Sequence, residues 1–386
     1  MEWINEKAKT LKQGAIRAMF DRANTMTGVI SLGIGEPDMP TPKLVCEACK
    51  EALDKGITHY TPNVGTLSFR QAIAEKSYLK DLHYDPNTEI IITNGGMGAL
   101  SLLFLVLLNK GDEILIQDPQ WLNYVAQVTY CDGTAVRVPT DLAHNFEMQP
   151  ETIEKLITPH TKALMINTPN NPTGVVYSAE TLSRLADILT EKSKVFGHNI
   201  FLVSDEPYRD IAFDGKKVPY PAAFYPHTLT CFSFSKSLSL PGERLGYVAV
   251  RPGCEGEDVL VDMMAQISRF TGHNCPPSII QKATAECLDV TSDLSVYETN
   301  MNLLYDKLTE LGFEVERPGG TFYIFPKALE EDANAFCLKA REFDLLLVPS
   351  DTFGVKGYVR FAYCIDTEKV KRSLPALEKL AAAYKK

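Results

Sequence analysis

Positive charge is in deficit: 39 Lys and Arg stand against 49 Asp and Glu, a formal net charge of −10. A partner built on a phosphate backbone calls for a concentrated basic face, so nucleic acid is not an expected ligand. Long apolar runs are also missing. The longest, Leu102 to Leu108, falls far short of the roughly 20 residues that a membrane span needs. The start, Met1-Glu2-Trp3-Ile4-Asn5-Glu6-Lys7, has no charged segment leading into an apolar core, as a secretory signal would. The nine cysteines are scattered and odd in number, and reduced thiols in the cytoplasm are the economical reading. Cys46 and Cys49 form a single C-x-x-C with no second pair and no paired histidines; their surroundings read as the first turns of a helix, and no metal site is expected. Neither a Walker Gly-Lys-Ser/Thr nor a G-x-G-x-x-G after the first strand is present, which argues against a nucleotide-binding enzyme.

What is present is an ordinary globular composition, 45% hydrophobic and 23% charged. At 386 residues the chain exceeds the roughly 250–300 at which single cores stop growing. Two domains are therefore expected. From Glu89 onward short apolar strands alternate with helical stretches: 89–93, 113–117, 135–138, 163–167, 200–204, 229–232 and 245–250, with helices such as 99–109, 121–130 and 178–194 between them. This alternation predicts an α/β fold with a mainly parallel seven-stranded sheet between helices. After about Glu257 the helices lengthen, through Arg269 and again from Pro276 into the 290s and to Leu311. Strands at 313–316, 321–325, 345–348 and 358–362 and helices at 332–342 and 366–384 then predict a smaller α+β domain, joined by the N-terminal segment with its helix at 5–23. The expected division is 1–45, an N-terminal arm and part of the small domain; 46–283, the large domain; and 284–386, the small C-terminal domain.

Ligands of open α/β sheets lie at the carboxyl ends of the strands, and polar punctuation collects there. Asn94-Gly95-Gly96-Met97-Gly98 follows the first strand as a turn, Asn170-Asn171-Pro172-Thr173-Gly174 the fourth, Asp205-Glu206-Pro207-Tyr208 the fifth, and Ser233-Phe234-Ser235-Lys236 the sixth. Four loops should converge on one site. A lysine that leaves water at a strand end loses pKa and gains nucleophilicity, and the serines beside it, with Arg244 eight positions on, suit a phosphate. The glycine turn serves either anion binding or close helix packing. Asp205, ending the apolar Ile200-Phe201-Leu202-Val203, needs a cation: a protonated pyridine nitrogen, a metal, or a helix N-terminus that it caps.

Asn170 to Gly174, Ser204 to Tyr208, and Ser233 to Lys236 through Arg244-Leu245-Gly246-Tyr247, in this order and spacing, resemble the fold-type-I class I/II aminotransferases, which use pyridoxal 5′-phosphate. The resemblance runs from Gly33-Ile34-Gly35-Glu36-Pro37-Asp38 to Tyr358-Val359-Arg360-Phe361, nearly the whole chain. It implies that Lys236 is the Schiff-base lysine and proton shuttle, that Asp205 pairs with the pyridinium nitrogen, and that Asn171 and Tyr208 bond the ring's phenolic oxygen. Gly96, Met97, Ser233, Ser235 and Arg244 would hold the phosphate, and Trp121 would stack on the ring. Arg360 would bind the substrate α-carboxylate, with the backbone of Ile34 and Gly35 beside it. Tyr60 would reach the phosphate of a neighbouring subunit, which implies a homodimer with shared sites.

The substrates implied are an amino acid and a 2-oxo acid. Relatives that prefer dicarboxylates carry an arginine a few residues before an Asn-x-Pro-Pro-like segment; here Phe270, not Arg269, falls at that position, which puts dicarboxylate preference in doubt. A C–S lyase resembling cystathionine β-lyase is the alternative within the fold, and a non-catalytic cofactor-binding protein the alternative outside catalysis.

Overall fold

The computed structural model describes residues 3–5, 9, 28–274 and 276–385. The helix expected at 5–23 lies almost wholly outside them. The strands, in chain order, are β1 (Ile30–Ser31), β2 (Ile90–Asn94), β3 (Glu113–Asp118), β4 (Thr134–Pro139), β5 (Thr161–Asn167), β6 (Phe201–Asp205), β7 (Thr228–Ser233), β8 (Leu245–Val250), β9 (Tyr323–Ile324), β10 (Leu345–Leu346), β11 (Val348–Pro349) and β12 (Val359–Ala362).

Seven of them form one sheet in the order β2-β8-β7-β6-β5-β3-β4, with β8 antiparallel to both neighbours and the remaining pairs parallel. The α/β expectation holds. β6, β7 and β8 are buried along their full length, as strands covered by helices on both faces must be. On one face the helix Gly95–Leu107 packs Leu100, Leu103 and Phe104 with Ile114, Met165, Val203, Leu229 and Val248. On the other, the helix Ala179–Phe196 sets Leu182, Leu185 and Leu189 against Leu115, Leu164 and Leu202. That second helix carries its own stop signals: the Ser178 side chain accepts from the Thr181 N–H at the start, and Gly197 at φ 74° ends it. Each leucine so buried stabilises the fold by about 1.5–3 kcal/mol.

The C-terminal part builds a separate apolar cluster around Met301, Leu304, Phe322, Phe361, Val370 and Leu377, and Leu32 of the N-terminal segment joins it. Its helices are Ser295–Glu310, Ala333–Arg341 and Thr367–Ala382. β1 pairs in parallel with β10, Ile30 opposite Leu345, while β11, β12 and β9 form a small antiparallel sheet. The positions 45 and 283 fall inside the helices Lys43–Asp54 and Ser278–Ala285.

Three local expectations are corrected. Residues 313–316 pair with no strand, although Phe313 is buried; the Lys327 N–H bond to the Glu314 carbonyl is isolated. The glycine stretch after β2 is not a turn ahead of a helix but the first turn of the helix itself, because Gly95 at φ 70° reverses the chain within one residue. The helix expected from Pro276 into the 290s stops at Ala285. The chain then detours so that Ser292 donates through its N–H (2.8 Å) and Oγ (3.1 Å) to the Ser237 carbonyl, bracing the turn that carries Lys236.

Candidate active site

Because β8 runs against its neighbours, its beginning lies at the edge where β2, β5, β6 and β7 end. Asn94 sits opposite Leu245, Ser233 opposite Gly246 and Asn167 opposite Asp205. Arg244, one residue before β8, is thereby brought to the ends of the parallel strands. A cavity of about 260 Å³ opens there, and the four sequence-predicted loops all reach it.

Lys236 lies in the four-residue turn Phe234–Ser237, started by Ser233, whose Oγ accepts from the Ser235 N–H at 3.3 Å. Its amine donates to the Gly35 carbonyl at 2.7 Å and stands 5.5 Å from the Phe322 ring centre. Its pKa falls from 10.5 to about 8, burial being the main cause; Cys364 pulls the other way and the Arg360 charge adds to the lowering. Half of this amine is neutral at mildly alkaline pH.

Asp205 ends β6 and is buried. The Tyr124 hydroxyl donates to its Oδ2 at 2.5 Å, and Asn167 Nδ2 donates to its backbone carbonyl at 2.8 Å. Burial lifts its carboxyl to about 7, against the Tyr124 bond and with a smaller push from Glu206. No cation pairs with it among the described residues. Tyr208, three residues on, points its hydroxyl towards that of Tyr323 at 3.4 Å.

The opposite corner of the cavity is basic and rich in hydroxyls. Ser233 Oγ donates to Ser235 Oγ at 2.9 Å, and the backbone of Gly96 and Met97 opens the first turn of the long helix beside them. Space here is filled to the limit: a Cβ on Gly95 would lie 2.7 Å from Arg244 Nη2, and one on Gly246 would lie 2.5 Å from the Phe232 carbonyl oxygen.

Arg360 comes from β12, across from all of these, and is 2% exposed. Nη1 donates to Asn171 Oδ1 at 3.0 Å and Nη2 to the Gly33 carbonyl at 2.7 Å. The guanidinium lies 4.3 Å from the Tyr323 ring centre and 4.9 Å from that of Phe353, and its Nε has no partner. No acidic side chain among the described residues forms an ion pair with it. A buried guanidinium without a carboxylate is costly unless a ligand supplies one.

Gly35, Gly96, Met97, Trp121, Asn171, Asp205, Tyr208, Ser233, Ser235, Lys236, Arg244 and Arg360 all line this one cavity. Ile34 does not; it borders an outer groove with Glu36 and Asp38. Tyr60 is 94% exposed and outside the cavity, and Phe270, next to Arg269 at the end of the helix Leu260–Phe270, is 86% exposed. Sequence reasoning passed over Tyr124, Asn167 and Tyr323, which also line the cavity. Tyr124 had one signal, its position one helical turn after Trp121, whose ring it meets edge-on at 5.3 Å.

These groups suit a ligand with three features: a phosphoryl group for Arg244 and the serines, a basic ring nitrogen for Asp205, and a carbonyl for Lys236. Pyridoxal phosphate has all three, and Arg360 is left for a substrate carboxylate.

Comparison with known proteins points the same way. The family described as aminotransferase class I and II matches residues 27–377. The aromatic-amino-acid aminotransferase 2 of Thermococcus litoralis is 35% identical over 98% of both chains, and the aspartate aminotransferase of Pyrococcus abyssi 34% identical over 98% of both. A crystal structure of an amino transferase from Eubacterium rectale, 39% identical, covers the whole of each chain at a TM-score of 0.93. The chain therefore belongs to the class I and II aminotransferases, enzymes that use pyridoxal phosphate.

Proposed function

We propose that this enzyme transfers the amino group of an L-amino acid to a 2-oxo acid, with Lys236 as the lysine that holds the cofactor and moves the proton. The observation that carries this reading is the presence in one cavity of a half-buried lysine, a buried carboxylate and a buried arginine with no acidic partner among the described residues. Bound pyridoxal phosphate supplies an electron sink for the bond broken at the substrate α-carbon. Arg360 binds the α-carboxylate through its planar fork. Lys236, whose amine faces the cavity, would hold the cofactor and would take up and give back the substrate α-proton. Asp205 keeps the ring nitrogen protonated, Asn171 and Tyr208 bond the phenolic oxygen, and Trp121 covers the ring face. Ser233, Ser235, Arg244 and the Gly96–Met97 backbone hold the phosphate, and the Gly35 backbone borders the substrate.

The enzyme works as a homodimer in which the exposed Tyr60 reaches the partner's phosphate site. Cys46, Cys49, Cys231, Cys254, Cys287, Cys337 and Cys364 are free thiols, which supports a reducing, cytoplasmic setting, and no helix among the described residues is long and apolar enough to cross a membrane.

A panel of L-amino acids mixed with the holoenzyme, without oxo acid, tests this reading. Conversion of the cofactor to its pyridoxamine form is expected, and is expected to vanish in Lys236→Ala. Release of pyruvate and ammonia from cystathionine far faster than amino transfer to 2-oxoglutarate would overturn it in favour of C–S cleavage.

A further inference from the structure

Asp205 and Glu206 are adjacent acids at the end of β6, and alternation along a strand sends them to opposite faces. Asp205 faces the cavity. Glu206 is fully buried behind it, where Ser204 Oγ donates to Oε1 at 2.7 Å and Arg209 Nε donates to Oε2. Arg209, also buried, gives its other N–H groups to the carbonyls of Val218 (2.9 Å) and Pro219 (3.0 Å). Its guanidinium lies between the rings of Tyr78 and Tyr220, 4.9 and 5.0 Å from their centres. The backbone is tied as well: the Glu206 N–H donates to the Cys231 carbonyl at 2.8 Å, and the Arg209 N–H to the Glu206 carbonyl at 3.2 Å. Neither side chain lines the cavity.

Apolar residues of similar volume commonly stabilise a core as well as a buried ion pair does. What this pair adds is direction, since its bonds fix the chain on both sides of the turn, and charge balance one residue from a second buried acid. We propose that the Glu206–Arg209 pair positions Asp205, clamping its turn from the far face of the sheet and neutralising Glu206, so that the Asp205 carboxylate is held ready for the cofactor's ring nitrogen. Arg209 is thus a positioning residue that acts through Asp205. The proposal rests on the reading of Asp205 given above. The direction of the Glu206 effect on the Asp205 carboxyl, upward and in addition to burial, is the one that an unbalanced Glu206 would strengthen.

The test is the rate at which holoenzyme loses pyridoxal phosphate into buffer containing a carbonyl trap, followed by absorbance for wild type, Arg209→Met, Asp205→Asn and the double variant. Arg209→Met is expected to release cofactor at least tenfold faster than wild type. In the Asp205→Asn background the same change is expected to accelerate release by less than twofold, because the group through which Arg209 acts is gone. Accelerations that multiply in the double variant would make Arg209 a general structural residue and overturn the proposal, as would wild-type release from folded Arg209→Met. Wild-type release from Asp205→Asn would instead sink the reading of Asp205 and take the proposal with it. Breaking a buried pair can prevent folding. If thermal melting shows that Arg209→Met does not fold, Arg209→Lys enters the same comparison: at least threefold faster release is expected, and the wild-type rate overturns the proposal.

Discussion

An amine that attacks a carbonyl must be neutral, and an exposed lysine near pH 7 is almost wholly charged. Burial changes that for Lys236. With its pKa brought to about 8, the neutral fraction rises with pH and levels off above about 9. The rate at which cofactor-free protein takes up pyridoxal phosphate is therefore expected to climb with pH to a midpoint near 8; stopped-flow absorbance would show a midpoint above 10 if Lys236 were an ordinary lysine. Arg360 gives a second expectation. Its loss in Arg360→Ala removes a contact shared by all amino-acid substrates, so kcat/KM should fall by about 100-fold, some 2.7 kcal/mol, to a similar extent for aromatic, aliphatic and acidic donors. A loss confined to one side-chain class in steady-state assays would place Arg360 elsewhere. The sequence singled out Lys236 by its setting at a strand end and Arg360 through the family resemblance. It could not say that Tyr323 and Phe353 would flank the guanidinium, since those partners lie in other segments of the chain.

At the scale of elements, the site depends on one reversed strand. β8 enters the sheet antiparallel, and Gly246 lets it press against Phe232 and the Gly95 turn. A Cβ at Gly246 would lie 2.5 Å from one backbone atom and 2.9 Å from another, so Gly246→Ala must push β8 away from the helix that begins at Gly95. A loss of about 1–3 kcal/mol in denaturant unfolding is expected, with weaker cofactor binding because Arg244 precedes Gly246 by two residues. The strands of the large sheet were legible as apolar runs bounded by polar residues, and the helix Ala179–Phe196 as a helical pattern over 178–194. The 313–316 segment was not. Its alternation suits a half-buried strand, but pairing needs a neighbour, and a neighbour is a property of the fold.

On the scale of the whole molecule, the cavity is assembled from distant segments: Gly35 near the beginning, Lys236 in the middle and Arg360 near the end. A ligand that bridges them stabilises the folded state by mass action, about 2.7 kcal/mol at a hundred times its dissociation constant. Removing pyridoxal phosphate should accordingly lower the melting temperature by roughly 3 °C, read by differential scanning calorimetry; an unchanged transition would mean that the cofactor does not hold the two parts together. The sequence by itself determined the fold class, the order of the strands' polar endings and the residue types needed for cofactor chemistry, because apolar periodicity and short motifs are local. The tertiary structure alone decided that Tyr124 meets Asp205, that Tyr78 and Tyr220 flank Arg209 behind it, and that Arg360 enters with no acidic partner among the described residues. Those contacts join elements whose separation along the chain carries no record of their distance in space.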